Sequence, residues 1–310
     1  MKTLKRSIVA GVCLSCGVIG FMRDAVADGL RPTPNQTVII GAADWPGAMG
    51  ARREALVMGG VSGGQILRPG VVGDQLEGGE IYTLYGPYGA VGRVRGGKPA
   101  ELDQQCSRTY HRLVDSRTIP IAVADPENPD FADPNGGFGY VGIAGERQGQ
   151  HRPPQFIDPD DDGHLYKAVI RDIAAQRGVF AEPVIEDIMA VDLDGNGNDE
   201  IIVQAFSTAG DGWFSLVMIR KICGDEVRHF ILEEISIFEA NDDCASTNDP
   251  AANAGHEDRT WLRVSAIIDV TGDGTMELFA QVDGGNFRGV YMYSIYDKGA
   301  SLLLNAFQRD

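Results

Sequence analysis

Two short stretches of the chain combine oxygen-bearing side chains and glycines at spacings that suit a metal ion. The first loop, Asp192–Glu200, has the sequence DLDGNGNDE, and the second loop, Asp269–Glu277, has the sequence DVTGDGTME. In each loop side-chain oxygens stand at positions one, three, five and nine, and position seven offers a backbone carbonyl. Calcium prefers several such oxygens at about 2.3–2.6 Å on a tight, negatively charged loop. Both loops are therefore predicted to bind Ca2+.

The alternative is an ion-free turn built from Asx side chains and glycine. Each loop holds three carboxylates, which would repel one another without a cation. They are Asp192, Asp194 and Glu200 in the first loop, and Asp269, Asp273 and Glu277 in the second. This repulsion favours calcium over the ion-free turn.

The two loops belong to a longer match within the chain. A shift of 77 residues places the first loop on the second, and the match continues without a gap. Beyond the loops it pairs Gln204 with Gln281, Gly212 with Gly289 and Lys221 with Lys298. A repeated strand–loop–strand–turn–strand unit is predicted. Because a strand rather than a helix is expected after each loop, an EF-hand is excluded.

Both loops resemble the calcium loops of FG-GAP and VCBS repeats, which occur in integrin-type propellers and in many secreted bacterial proteins. The likeness covers about 30 residues around each loop and rests on the spacing D-x-[DN]-G-[DN]-G-x-x-[DE]. Two such loops are too few for a seven-bladed propeller. The resemblance implies two sets of metal ligands: Asp192, Asp194, Asn196, Asn198 and Glu200, and Asp269, Thr271, Asp273, Thr275 and Glu277.

The first 27 residues have the features of a secretory signal peptide. Lys2, Lys5 and Arg6 precede an apolar stretch, residues 7–22, and a small-residue cleavage motif at 25–27. That apolar stretch is short for a bilayer span. We expect a mature chain that begins at Asp28 and is periplasmic or secreted, with no transmembrane segment after cleavage.

The chain is acidic and has enough apolar residues for a large core. Its 310 residues carry a formal net charge of −17, and 43% are hydrophobic. Residues 1–27 include four basic residues and one acidic residue, so the mature charge is −20. This charge disfavours nucleic acid and anionic membranes as partners. A protein or a glycan is the expected partner.

Three cysteines follow residue 27, so at most one intramolecular disulfide can form. Cys223 precedes a predicted turn, whereas Cys244 lies beyond the far end of the returning strand. A bond between Cys106 and Cys244 is therefore less strained than one between Cys223 and Cys244.

Short apolar runs separated by glycines predict antiparallel strands along most of the chain. Residues 164–177 instead have a helical period behind an acidic run at 158–163, which suits a helix N-terminus better than a third calcium loop. We predict a mainly β protein of antiparallel sheets, propeller- or sandwich-like but not a full seven-bladed propeller, with one short helix near 164–177. A polar stretch around residue 150 divides an N-terminal β region, 28–150, from a C-terminal β region, 151–310, that holds the helix and both loops.

Other motifs that could carry out catalysis or bind a metal have simpler explanations. Residues 60–64 match G-x-S-x-G around Ser62, the nucleophile elbow of α/β-hydrolases, which needs a strand before it and a helix after it. Ile66, Leu67 and Pro69 follow, so a hairpin is predicted instead. The five histidines are scattered and have no zinc spacing. No catalytic residues are predicted.

These features favour an exported calcium-binding β protein that acts as a non-enzymatic binding or interaction module. The alternative is a calcium-stabilised hydrolase that acts on envelope or extracellular polymers. A pocket that joins Ser62 to a histidine and a carboxylate would favour this alternative.

Overall fold

The computed structural model describes residues 36–41, 54–101, 117–123, 140–145, 150–207, 214–236, 261–284 and 287–309. All of them belong to one compact unit that spans Pro32–Asp310. The predicted signal peptide over residues 1–27 and the predicted disulfide partners Cys106 and Cys244 lie outside the described residues. No helix in these ranges is long and apolar enough to cross a bilayer.

The first sheet is antiparallel and contains eight strands. They are β1 (Gln36–Gly41), β2 (Glu54–Ser62), β3 (Gln65–Leu67), β4 (Ile81–Gly86), β5 (Gly89–Gly96), β6 (Ala100–Glu101), β7 (Arg117–Val123) and β8 (Val141–Ala144). Their order is β3-β2-β1-β8-β4-β5-β7-β6, and β2 also pairs with β7. A helix of five residues, α1 (Pro69–Gly73), follows β3.

The second and third sheets are meanders in which each strand pairs with a sequence neighbour. The second contains β9 (Gln155–Ile157), β10 (Pro183–Val191), β11 (Glu200–Ser207), β12 (Phe214–Cys223) and β13 (Glu226–Ser236), with the helix α2 (Pro159–Gln176) between β9 and β10. The third contains β14 (Trp261–Ile268), β15 (Glu277–Gly284), β16 (Phe287–Tyr296) and β17 (Gly299–Arg309). All pairings within both sheets are antiparallel.

The third sheet lies between the other two. Phe279 on one face belongs to a core that includes Ile39 and Met58 of the first sheet. Leu278 on the opposite face belongs to a core that includes Ile202 of the second sheet. Because successive strand residues point to opposite faces, β15 is apolar at consecutive positions rather than alternating. The prediction of a mainly β protein is confirmed, and its layers are sandwich-like.

The helix α2 covers the outer face of the second sheet. Ile170 is fully buried in a core with residues of β10, β11 and β12. Asp158 caps the N-terminus by accepting a hydrogen bond from the amide of Asp160 at 2.9 Å. Gly178 follows the helix with φ +82°, a backbone angle that favours glycine. The acidic run is thus a helix start and not a third calcium loop.

The limits of this helix and one of its contacts differ from the prediction. The helix begins at Pro159 rather than near residue 164, because proline is favoured in the first turn and acidic side chains there suit the helix dipole. The helical period of the apolar residues also predicts Leu165 on the buried face, but its side chain is 58% exposed. The apolar face predicted from that period is therefore too wide.

Three strands and one helix were not predicted. β6 and β9 have two and three residues, too few to show a period. β5 has glycines at three of its eight positions, which hides its strand pattern. α1 forms despite the expectation that no helix starts there, because Pro69 has a φ already suited to the first helical position. The predicted boundary after residue 150 falls between the first sheet and the other two, and the division into two regions stays a prediction.

Candidate metal centre

Each predicted calcium loop joins two paired strands of one sheet. The first loop connects β10 to β11, and Val191 pairs with Glu200 across its base. The second loop connects β14 to β15, and Ile268 pairs with Glu277 in the same way. This pairing brings position nine of each loop back beside position one.

The carboxylate of Asp192 organises the first loop. It accepts hydrogen bonds from the amides of Gly195, Asn196 and Gly197 at 2.7, 3.0 and 3.0 Å. Gly195 and Gly197 have φ values of +76° and +84°, which side chains other than glycine rarely adopt. The glycines thus let the backbone turn around Asp192.

Other side chains of the first loop also face inward. Asn196 accepts a hydrogen bond from the amide of Asn198 at 2.7 Å, and Glu200 accepts one from the amide of Leu193 at 2.8 Å. Ligand atoms of Asp192, Asp194 and Glu200 lie within 4.8 Å of one another, which makes them able to hold a metal ion. Among the described residues this is the one group of three or more acidic, histidine or cysteine side chains that converges so closely.

A lysine from β12 enters this acidic group. The ammonium Nζ of Lys221 lies 2.5 Å from Oδ2 of Asp194 and 3.6 Å from Oε1 of Glu200. It also lies 3.1 Å from Oδ1 of Asp297, in the turn between β16 and β17. The lysine side chain is only 1% exposed. A positive charge that belongs to the protein therefore already faces the first loop.

The pKa values in the first loop reflect this pairing. Burial disfavours the charge of Lys221, but its hydrogen bonds to Asp194 and Asp297 raise its pKa to about 12. Burial acts to raise the pKa of Asp194, yet the hydrogen bond from Lys221 holds it below its usual value. For Glu200, burial outweighs the Leu193 amide and Lys221, and its pKa is raised.

The second loop has a similar turn around its first residue. Asp269 is 3% exposed and accepts hydrogen bonds from the amides of Gly272 and of Gly274, the latter at 2.9 Å. Glu277 is 1% exposed and accepts hydrogen bonds from the amide of Val270 at 2.8 Å and the hydroxyl of Thr271 at 3.1 Å. Two carboxylates are thus buried side by side.

The remaining predicted ligands of the second loop, Asp273 and Thr275, lie at its tip. The amide of Thr275 donates to Oδ1 of Asp273 at 2.8 Å. Within the part of the chain that the structure describes, neither Lys nor Arg forms an ion pair with Asp269, Asp273 or Glu277. Burial, together with the charges of Asp269 and Asp273, raises the pKa of Glu277 to about 7. The second loop therefore has no cationic side chain of the described residues against its carboxylates, and these carboxylates do not converge as closely as those of the first loop.

The two loops contact each other directly. The amide of Met276 donates to the carbonyl of Leu193 at 2.7 Å. Arg152 donates from Nη1 to the carbonyl of Asp192 at 2.7 Å and from Nη2 to the carbonyl of Gly274 at 2.8 Å. Sequence reasoning missed Arg152 because it lies in a polar stretch that was interpreted only as a boundary. A single guanidinium therefore joins the second and third sheets at the loops.

The prediction that the two loop regions match without a gap is wrong beyond Gln204 and Gln281. Gln204 pairs with Val217 across the next hairpin, whereas Gln281 pairs with Val290. The second hairpin is therefore four residues shorter. Because of this difference, the strand position that corresponds to Lys221 is not Lys298 but Ser294, which pairs with Glu277.

Ser62 lies in a hairpin and not in a nucleophile elbow. Ser62 pairs with Gln65 between β2 and β3, and the turn residues Gly63 and Gly64 have φ values of +58° and +78°. A strand rather than a helix follows, as predicted.

The described histidines lie on different elements. His151 stacks on Tyr85 with ring centroids 6.4 Å apart, His164 lies on α2, and His229 lies on β13. His111 and His256 lie outside the described residues.

Comparison of the chain with family models, with curated proteins and with solved structures finds no match.

Proposed function

We propose that this protein is an exported calcium-binding β protein that acts as a binding or interaction module. The observation that carries the proposal is the charge of the second loop. Asp269 and Glu277 are buried next to each other, the charge of Asp273 also acts on Glu277, and no described lysine or arginine pairs with them. Buried charges without a partner are costly, and a divalent cation would relieve that cost.

The donor atoms favour calcium over other common metals. Every proposed ligand in both loops is an oxygen, whereas zinc sites in proteins use mainly cysteine and histidine. Magnesium keeps several water molecules and demands an octahedral shell, whereas calcium accepts six to eight oxygens in flexible geometry. A loop that supplies carboxylate, hydroxyl and carbonyl oxygens from alternate residues matches the preference of calcium.

The proposed ligands in the second loop are the side chains of Asp269, Thr271, Asp273 and Glu277 and the carbonyl of Thr275. The first loop would hold a second ion through Asp192, Asp194, Asn196 and Glu200 and the carbonyl of Asn198. Both sites sit where strands of packed sheets begin and end. Calcium would therefore act as a structural ion that fixes the loops, with no part in a reaction.

The role as an interaction module rests on the net charge of the whole chain. The net charge of −20 after the predicted signal peptide suits a protein outside the cytoplasm. This negative charge is compatible with a protein or a glycan as the partner. The hydrolase alternative gains no support from Ser62, which lies in a hairpin turn.

Isothermal titration calorimetry tests calcium binding directly. Chelator-treated protein that begins at Asp28 is titrated with calcium and, separately, with magnesium. We expect a calcium site with a Kd of about 10⁻⁴–10⁻³ M and weaker magnesium binding. Asp269→Asn should remove this site. Asp225→Asn, which removes the same charge from an exposed turn between β12 and β13, should leave the site unchanged.

Two results would count against the proposal. One is a calcium titration that gives only the heat of dilution. The other is a calcium affinity that is the same in wild type and in Asp269→Asn, because the second loop would then not be the site.

A further inference from the structure

Lys221 distinguishes the two loops. We infer that its ammonium group is a built-in counter-cation of the first loop, which lowers the calcium affinity of that loop. This inference rests on the proposed calcium-binding function and names a residue that sets the affinity of one of the two sites.

The position of the ammonium group carries the argument. Nζ of Lys221 contacts two of the three carboxylates that converge in the first loop, Asp194 at 2.5 Å and Glu200 at 3.6 Å. Both are proposed calcium ligands. A divalent cation among these oxygens would lie close to a buried monovalent cation, and the two would repel each other. Calcium affinity depends on the charge that a loop offers, and Lys221 reduces that charge by one.

No lysine or arginine of the described residues takes the equivalent place in the second loop. Ser294 occupies the corresponding strand position beside Glu277, and Lys298 is exposed in the turn between β16 and β17. Arg152 contacts the second loop at the carbonyl of Gly274 and not at a carboxylate. The two loops thus share ligand spacing, but the first faces the buried ammonium group of Lys221 and also the partly exposed guanidinium of Arg152, 3.7 Å from Oδ1 of Asp192.

Lys221 also has a partner outside the first loop. Oδ1 of Asp297 lies 3.1 Å from Nζ, and the Asp297 side chain is 79% exposed. An incoming calcium ion could displace the ammonium group from Asp194 while Asp297 retains it. The first loop would therefore still bind calcium, but more weakly than a loop without the lysine.

The test measures calcium affinity by calorimetry in proteins whose second loop has been disabled by Asp269→Asn. In this background, Lys221→Met removes the ammonium group and keeps an unbranched side chain. Arg220→Met is the matched control, because it removes one positive charge from the neighbouring position of β12, on the opposite face of the strand from Lys221. Lys221→Gln replaces Lys221→Met if the latter does not give the wild-type circular dichroism spectrum.

We expect Lys221→Met to tighten the calcium affinity of the first loop at least tenfold, and Arg220→Met to change it less than threefold. The inference is overturned if Lys221→Met changes the affinity no more than Arg220→Met does. Absence of calcium binding in every protein, wild type included, would instead overturn the proposed function and the inference together.

Discussion

Glu277→Gln should stabilise the metal-free protein while it abolishes much of the response to calcium. The carboxylate of Glu277 is buried beside Asp269, and its pKa is raised to about 7. A group whose pKa is raised on folding binds protons more tightly in the folded state. Its contribution to stability is therefore fully present below the ordinary pKa of about 4.5 and is lost as the pH rises to 7.

The size of the effect follows from these two pKa values. Ionisation of Glu277 at pH 8 costs the folded state about 3 kcal/mol relative to the unfolded chain. Glutamine removes this cost and still offers an oxygen to the amide of Val270, but a neutral acceptor is weaker by about 1 kcal/mol. The free energy of unfolding at pH 8 should therefore increase by about 2 kcal/mol.

Urea unfolding in the presence of a chelator, at pH 5 and at pH 8, measures this difference. Glu200→Gln is the matched control, because Lys221 already offsets part of the charge at that position. We expect the gain at pH 8 to be larger for Glu277→Gln than for Glu200→Gln, and smaller for both at pH 5. A Glu277→Gln protein that is no more stable than wild type at pH 8 without metal would refute this reasoning.

Three further predictions concern residues outside the carboxylate sets. Arg152→Met should lower the free energy of unfolding by about 1–3 kcal/mol, because it removes the donor for two loop carbonyls, and Arg152→Lys should restore part of this loss in urea unfolding. Burial lowers the pKa of His151, so the stability that this residue contributes is present above pH 6.5 and is lost as the pH falls further. His151→Gln should therefore make the free energy of unfolding, measured between pH 7 and pH 5, depend less on pH. Phe279→Ala should cost about 3–5 kcal/mol in thermal melts, whereas Phe180→Ala, at a side chain 77% exposed, should change stability by less than about 0.5 kcal/mol.

The loops could be predicted from sequence because the interactions that shape them are local. The carboxylates of Asp192 and Asp269 bind amides no more than five residues away. Glycines at fixed positions permit the turn, and the strands on both sides have clear apolar runs. A pattern of nine residues therefore determines most of the hydrogen bonds and backbone angles that shape each loop.

The groups that distinguish the two loops come from farther along the chain. Lys221 is 27 residues from Asp194, and Arg152 is 122 residues from Gly274. Their positions depend on hairpin length and on sheet packing, which no local pattern determines. The match of Lys221 with Lys298 failed for this reason, because a hairpin shorter by four residues places Ser294 at the equivalent position.

The fold shows the same division between local and distant causes. Apart from β9, the strands of the second and third sheets followed from apolar runs between turn residues. The consecutive apolar residues of β15 indicated a strand, but not that it is covered by the first sheet on one face and the second on the other. Strands such as β5 depend on partners from elsewhere in the sheet, because their own glycine content gives little preference for extended structure.

Thermal melting with and without calcium tests the central claim most directly. An ion that binds only the folded protein at about 10⁻⁴–10⁻³ M adds about 1.4–2.7 kcal/mol of stability at 10 mM calcium. The melting temperature of wild type should therefore rise by several degrees from chelator to 10 mM calcium, and that of Asp269→Ala should rise less, because only the first loop, which Lys221 weakens, is left to bind calcium. If wild type and Asp269→Ala melt at temperatures that calcium does not alter, the second loop is an ordinary turn and the proposed calcium site does not exist.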